Sequence, residues 1–284
     1  MFSQPNEPSG PSRAESTPRA VLRSLERQLL QAGPVTNDHA YEAQQLVYDA
    51  WEATTDARER ALIRQALKLD PTNVDALLQA GDYAGVAGEE KIEWLRKIVA
   101  QGEKNLGPQV FKEFAGTFWG FIETRPYMRA RQRLAEALRS AGRTAEAVVE
   151  YQAMLQLNPH DNQGVRYCLL PLYLMLNRLA DARKLFAQYP AETKYNAVFA
   201  WGRVLERFLE AKLPAAAAAL TGARKQNPHL EIYVTGRRKP PADMPAAYAP
   251  GSKEEALCFA ENMQAAWASH PAALQWLATQ PVKP

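Results

Sequence analysis

From Arg19 onward, apolar residues return every three or four positions in stretches of roughly ten to sixteen residues, separated by short breaks of Gly, Pro, Asn or Asp. That period places the apolar positions of each stretch along one face of an α-helix. Only Leu230 to Thr235, LEIYVT, has the β-branched and aromatic content of a strand, and it stands alone between Pro228 and the Pro240–Pro241 pair. The pattern therefore predicts an all-α chain. Its first twenty residues, MFSQPNEPSGPSRAESTPRA, have little to bury and are expected to form a disordered arm over 1–20. No apolar stretch follows a basic start there, so no secretory signal is expected, and the chain is expected to be cytoplasmic.

The helical stretches repeat. LKLDP at 67–71, LQLNP at 155–159 and RKQNP at 224–228 end alike. A tetratricopeptide repeat is a 34-residue helix-turn-helix with small residues where its two helices cross and a proline at position 32. Counting from Met128 as position 1 puts Leu134 at 7, Ala135 at 8, Leu138 at 11, Ala147 at 20, Tyr151 at 24 and Pro159 at 32, with Gly142 in the turn between the helices. Counting back from Pro228 gives Ala216 at 20, Leu220 at 24 and Ala223 at 27. The copy ending at Pro71 has Leu46, Val47, Ala50, Ile63 and Ala66 in place, but Glu59 at position 20. A copy from Asn162 to Pro190 fits with one residue inserted at the turn, and Pro171 is expected to kink its first helix. Residues 74–100, with Gly81 at position 8, form a weaker copy. After the repeats, Ser252 and Glu255 spell a capping box that opens one helix, and Pro271 opens another. The expected architecture is a tetratricopeptide-like α-solenoid of antiparallel helix pairs, with repeats over 21–228 and a C-terminal capping segment over 229–284.

The segments YMRARQRLAEALRSAGRTAEAVVEYQAMLQLNP, RYCLLPLYLML, NPHLEIYV, GSKEEALCFAENMQAAW and ALQWL, together with FWGFIETRPYMRAR at Phe118 to Arg131, carry a family resemblance. Over roughly residues 60 to 280 the chain resembles the tetratricopeptide-like region of the suppression of tumorigenicity 7 family and of uncharacterised bacterial proteins similar to it. The resemblance implies a helical-repeat protein and brings no catalytic residue onto this chain.

Composition narrows the classes further. Apolar residues are 46% and charged residues 23% of 284, close to the globular average. The longest nearly uncharged apolar run, Tyr167 to Leu176, is about half of what a bilayer span requires, so no membrane span is expected. Cys168 and Cys258 are far apart in apolar settings and read as free thiols of a reducing compartment. His39, His160, His229 and His270 sit at breaks without metal-ligand spacing, and the nucleotide-binding and hydrolase signatures are missing. The chain is thus expected to be no enzyme and to need no cofactor or metal.

Charge changes the picture when it is resolved along the chain. The net charge is only +3. Between Arg125 and Arg143, however, six arginines face one carboxylate, Glu136, a local net of +5. Arg129 and Arg133 stand one helical turn apart, a row able to hold a carboxylate or phosphate, unless it pairs with carboxylates of neighbouring helices. In the repeat, positions 2, 5, 9 and 12 of each first helix face the concave groove. These are Arg129, Gln132, Glu136 and Arg139 in one copy, Gln163, Arg166, Leu170 and Tyr173 in the next, and Val198, Trp201, Leu205 and Phe208 in the following one. Arginines and aromatics in one groove have the composition of an interface hot spot, although Trp201 and Phe208 would equally suit a core.

The functional expectation is a scaffold or adaptor that binds a protein or peptide segment of acidic or C-terminal carboxylate character. Its candidate contact residues are Arg125, Arg129, Gln132, Arg133, Arg166, Tyr173 and Trp201. The alternative expectation is a phosphate- or nucleotide-responsive protein, or an enzyme, that uses the Arg125–Arg143 segment. Nucleic acid is not expected as a partner, because acidic residues neighbour the arginines. The sequence leaves the oligomeric state open.

Overall fold

The computed structural model describes residues 17–281 except Ala242, and the described residues contain helices and no strand. In chain order they are α1 (Pro18–Gln31), α2 (Asn37–Trp51), α3 (Asp56–Leu69), α4 (Val74–Tyr83), α5 (Gly88–Glu113), α6 (Arg125–Ser140), α7 (Thr144–Leu157), α8 (Arg166–Met175), α9 (Leu179–Gln188), α10 (Glu192–Tyr195), α11 (Ala197–Leu209), α12 (Leu213–Gln226), α13 (Glu231–Val234), α14 (Lys253–Ala268) and α15 (Pro271–Thr279). Most of the arm expected over 1–20 lies outside the described residues, and its last three residues already belong to α1. The strand-like run LEIYVT is helical, as α13. No described helix is long and apolar enough to cross a membrane.

The helices start where short polar side chains can hold the first free amides. Thr17, Thr36, Thr55, Asn73, Asn196 and Ser252 cap α1, α2, α3, α4, α11 and α14 in this way. Pro108 follows Gly107, whose φ of 71° breaks the helical path inside α5. Pro171, by contrast, lies inside α8, which continues through it to Met175.

The described residues divide into two units, one of those up to 143 with 156–159 and one of 144–155 with those from 160 onward. In the first unit, consecutive helices pack as neighbours: α2 on α3, α3 on α4, α4 on α5 and α5 on α6. The repeat register explains the contact faces. Val47, Ala50, Ile63 and Ala66 are all buried, as are Leu134, Ala135 and Leu138. Gly81 occupies a crossing, where an added Cβ would lie 2.5 Å from Trp94 Nε1, so no side chain fits there without moving a buried indole.

In the second unit α8 pairs with α9, α11 with α12, and α8 with α11. The two C-terminal helices are part of this packing: α14 lies against α8, α11 and α13, with α15 on α14. Trp201 of α11 and Trp267 of α14 are both fully buried, edge to face at 6.3 Å between ring centroids. Burial of this kind is large in energy, since truncating a core Trp costs about 3–5 kcal/mol. At the start of α14, Ser252 Oγ accepts the Glu255 amide, as a capping box requires. The return half of the box is replaced, however. The buried Glu255 carboxylate accepts from Ala197 N at 2.9 Å, Asn227 Nδ2 at 2.9 Å and Gly251 N at 2.7 Å, which ties α14 to the first turn of α11.

One local geometry recurs. Gly85, Gly142, Asn177 and Ala211 each follow a helix with φ of 68°, 74°, 54° and 58°. The next residue in each case donates back to a carbonyl five positions earlier: Val86 to Gly81, Arg143 to Leu138, Arg178 to Tyr173 and Lys212 to Arg207. Gly142 ends the first helix of its copy as its position in the repeat requires. Asn177 and Ala211 make the same turn without glycine.

Candidate functional site

The first unit builds a groove from the first helices of its copies, since α4 packs beside both α2 and α6. Counting from the repeat prolines puts Tyr41, Gln44, Tyr48 and Trp51 of α2 on the groove positions. Asp75 and Leu78 of α4 and Arg129, Gln132 and Glu136 of α6 complete the wall. A cleft of about 320 Å³ lies among Trp51, Asp75, Leu78, Arg129, Gln132 and Arg133. A larger one of about 580 Å³ is lined by Tyr41, Gln44, Tyr48, Asn73, Ile122 and Tyr127, among others.

The arginine row is engaged inside this unit. Arg129 donates from Nε to Asp75 Oδ1 at 2.8 Å and from Nη2 to Asp75 Oδ2, the bidentate geometry that a ligand carboxylate would otherwise receive. Its guanidinium also lies over the Trp51 ring, 5.1 Å from the centroid. Arg133 donates to Asp82, Arg143 to Glu89 at 2.6 Å, and Arg131 stands 3.8 Å from Glu103. Arg125 gives its Nε to the Trp119 carbonyl at 3.1 Å and covers that residue's ring. Four arginines of the +5 segment, Arg129, Arg131, Arg133 and Arg143, are thus answered by carboxylates on α4 and α5 rather than left as an open cradle. The reason is tertiary: the helices beside α6 present acids where α6 presents arginines.

What the groove leaves available is aromatic and amide surface. Trp51 is 46% exposed and packs against both Tyr48, at 5.3 Å between ring centroids, and Arg129, while Tyr41 is 67% exposed. Gln44 donates to Asp75 at 3.0 Å and accepts from Asn73 at 3.1 Å; Gln132 donates to Glu136 at 3.0 Å. These bonds fix the amide groups in place, and an amide carries both donors and acceptors for a peptide backbone. Tyr41, Tyr48, Trp51 and Asp75 were missed in choosing candidates from sequence. The signal was present, because positions 2, 5, 9 and 12 counted back from Pro71 are Tyr41, Gln44, Tyr48 and Trp51.

The remaining candidates belong to the second unit. Arg166 donates to Asp161 at 2.9 Å and to Glu192 at 2.9 Å, its guanidinium between the rings of Tyr167 at 4.2 Å and Tyr189 at 5.2 Å. Burial raises the Asp161 carboxyl above its ordinary range, even though Arg166 and the amides of Val165 and Arg166 hold its charged form. Tyr173 and Trp201 are buried, Trp201 completely, with its Nε1 donating to the Asn227 carbonyl at 3.4 Å. They do not line an open groove as expected: Trp201 of α11 packs on Trp267 of α14, and Tyr173 is buried within α8. The structure therefore brings Arg129, Gln132 and Arg133 together at one cleft and places Arg125 at a separate stack on Trp119. Among the described residues no three His, Cys, Asp or Glu side chains converge as metal ligands would.

No curated protein matches the chain. The tetratricopeptide repeat model matches residues 138–198, from the end of α6 into α11. That match supports a tetratricopeptide-repeat protein, and with helices packed in neighbouring pairs it makes the fold all-α and tetratricopeptide-like.

Proposed function

We propose that the chain is a non-enzymatic scaffold that binds an extended peptide segment of another protein in the groove of its first unit. The carrying observation is Trp51, an indole nearly half exposed on a groove position and in contact with both Tyr48 and Arg129. Such a pre-positioned aromatic loses little entropy on contact and suits an anchor pocket. Arg129, Gln132 and Arg133 form the polar wall beside it, and Tyr41 and Ile122 extend the apolar floor. Concave faces of helical repeats are the usual binding surfaces of this architecture. Because Asp75 and Asp82 already engage Arg129 and Arg133, the preferred segment carries an apolar anchor rather than a dense acidic run. The phosphate- or nucleotide-responsive alternative is less favoured, because Arg129 and Arg133 already pair with Asp75 and Asp82. The reading keeps the cytoplasmic setting that suits Cys168 and Cys258, neither of which is in a disulfide.

The test is a panel of immobilised peptides with varied anchors, probed with the wild-type chain and with Trp51→Ala and Tyr41→Ala. Binding of an aromatic- or aliphatic-anchored peptide should weaken by about 2 kcal/mol or more in Trp51→Ala, with an unchanged melting temperature. Equal binding by wild type and both variants would count against the groove.

A further inference from the structure

In the second unit, α10, α11, α12 and the turn before α14 enclose a trough of about 530 Å³. Its floor is made of small residues, Ala200 from α11 and Ala219, Gly222 and Ala223 from α12. Gly222 meets open space, with nothing within 4 Å of an added Cβ. The rim carries Lys194 from α10, Arg203 from α11 and Lys225 from α12, and no Asp or Glu lines the trough. The three cations come from three separate elements, so helix periodicity along any one of them does not produce the cluster.

Their surroundings differ. Arg203 lies 3.6 Å from the Phe186 ring centroid and 3.4 Å from Glu206 Oε2, so its charge is anchored within the protein. Lys194 rests over Tyr195 at 5.1 Å, and neither it nor Lys225 makes an ion pair among the described residues. Two exposed ammoniums therefore flank an apolar floor without internal compensation. A compact anion such as phosphate is best held by donors converging on one point, as from a guanidinium fork or a row of amides. Here the fork is engaged and the two ammoniums sit on long flexible stems on different helices. A floor without bulky side chains accommodates a main chain, and separated ammoniums meet carboxylates on separated residues.

We propose that this trough docks an acidic peptide segment of a partner protein, its backbone over Ala219, Gly222 and Ala223 and its carboxylates toward Lys194 and Lys225. The site is distinct from the groove of the first unit and uses none of its residues. Attraction of this type is screened by salt and specifies the sign of the partner's charge.

The experiment uses the full chain and a fluorescein-labelled peptide of alternating Glu and Leu, with a Gln and Leu peptide of equal length as control, read by anisotropy. The Glu peptide should bind more tightly than the Gln peptide, and increasingly so as salt is lowered. Lys194→Glu combined with Lys225→Glu should weaken it about tenfold or more. Gly222→Leu, which fills the floor without touching a charge, should weaken it as well. Equal binding of the two peptides, or affinity unchanged in both trough variants, would overturn the proposal. So would displacement of the peptide by low concentrations of pyrophosphate, which marks a small-anion site, or self-association in sedimentation that the same variants abolish, which marks a second copy as the occupant.

Discussion

Arg129 and Asp75 are fifty-four residues apart in sequence and joined by two parallel hydrogen bonds, one of 2.8 Å from Nε to Oδ1 and one from Nη2 to Oδ2. The pair locks α6 to α4 and sets the orientation of the guanidinium that supports Trp51. Asp75 is almost wholly buried and Arg129 about a quarter exposed. Removing the acid with Asp75→Ala should therefore cost about 2 kcal/mol, less than a fully buried pair because water reaches the arginine. Arg129→Lys should cost about 1 kcal/mol, since an ammonium cannot make both bonds. Urea unfolding of the two variants measures both, and an Arg129→Lys protein as stable as wild type would show that the fork geometry contributes nothing.

The Glu255 carboxylate tests how firmly the C-terminal helices belong to the second unit. Glu255→Gln is nearly isosteric, yet it puts an amide donor where Ala197 N, Asn227 Nδ2 and Gly251 N already point their hydrogens. A loss of about 2–3 kcal/mol is expected. A melting temperature equal to that of wild type would mean that α14 is held by apolar packing alone.

Ala211 adopts φ of 58° at the turn where two sister copies have glycine. A Cβ in that region is strained, so Ala211→Gly should stabilise the protein by about 1 kcal/mol. The converse, Gly142→Ala at φ of 74°, should destabilise it by a similar amount. Chemical denaturation of the two variants should show opposite signs.

Tyrosine ionisation gives a pH prediction. Burial, reinforced by Asp161 and opposed by Arg166, pushes the Tyr189 phenol up to about 12 from its ordinary 10. Tyr167 is raised for the same first reason, with its hydrogen bond to Glu192 adding to it. Unfolded phenols release their protons near pH 10 while the folded ones still hold theirs, so the unfolded state binds fewer protons. The contribution is fully present below pH 10 and is lost as pH rises toward 12. Urea midpoints measured across that interval should fall steadily, and Tyr189→Phe should flatten part of the fall.

The helices, their caps and the repeat period were legible in the sequence because they rest on local spacing. The apolar period of Val47, Ala50, Ile63 and Ala66 marks a buried face wherever the neighbours stand, and Gly142 marks a turn by its own conformational freedom. Pro171, where a kink is expected, stands inside α8, which continues to Met175. The strand-like composition of LEIYVT yielded to a single helical turn, because β-propensity acts through pairing and no strand among the described residues is available to pair with. Ala211 concealed a turn that glycine would have announced.

The candidate site divides along the same line. Sequence determined that Arg129 and Gln132 share a groove-facing register, with Arg133 one helical turn from Arg129, and the same counting places Tyr41, Tyr48 and Trp51 in register with the first two. Only the tertiary structure decided that Asp75 and Asp82 already answer Arg129 and Arg133, and that Tyr173 and Trp201, the latter packed on Trp267 of α14, are core rather than groove residues. The physical reason is that periodicity fixes which face of a helix a residue occupies, whereas charge compensation and burial depend on what a distant segment brings against that face.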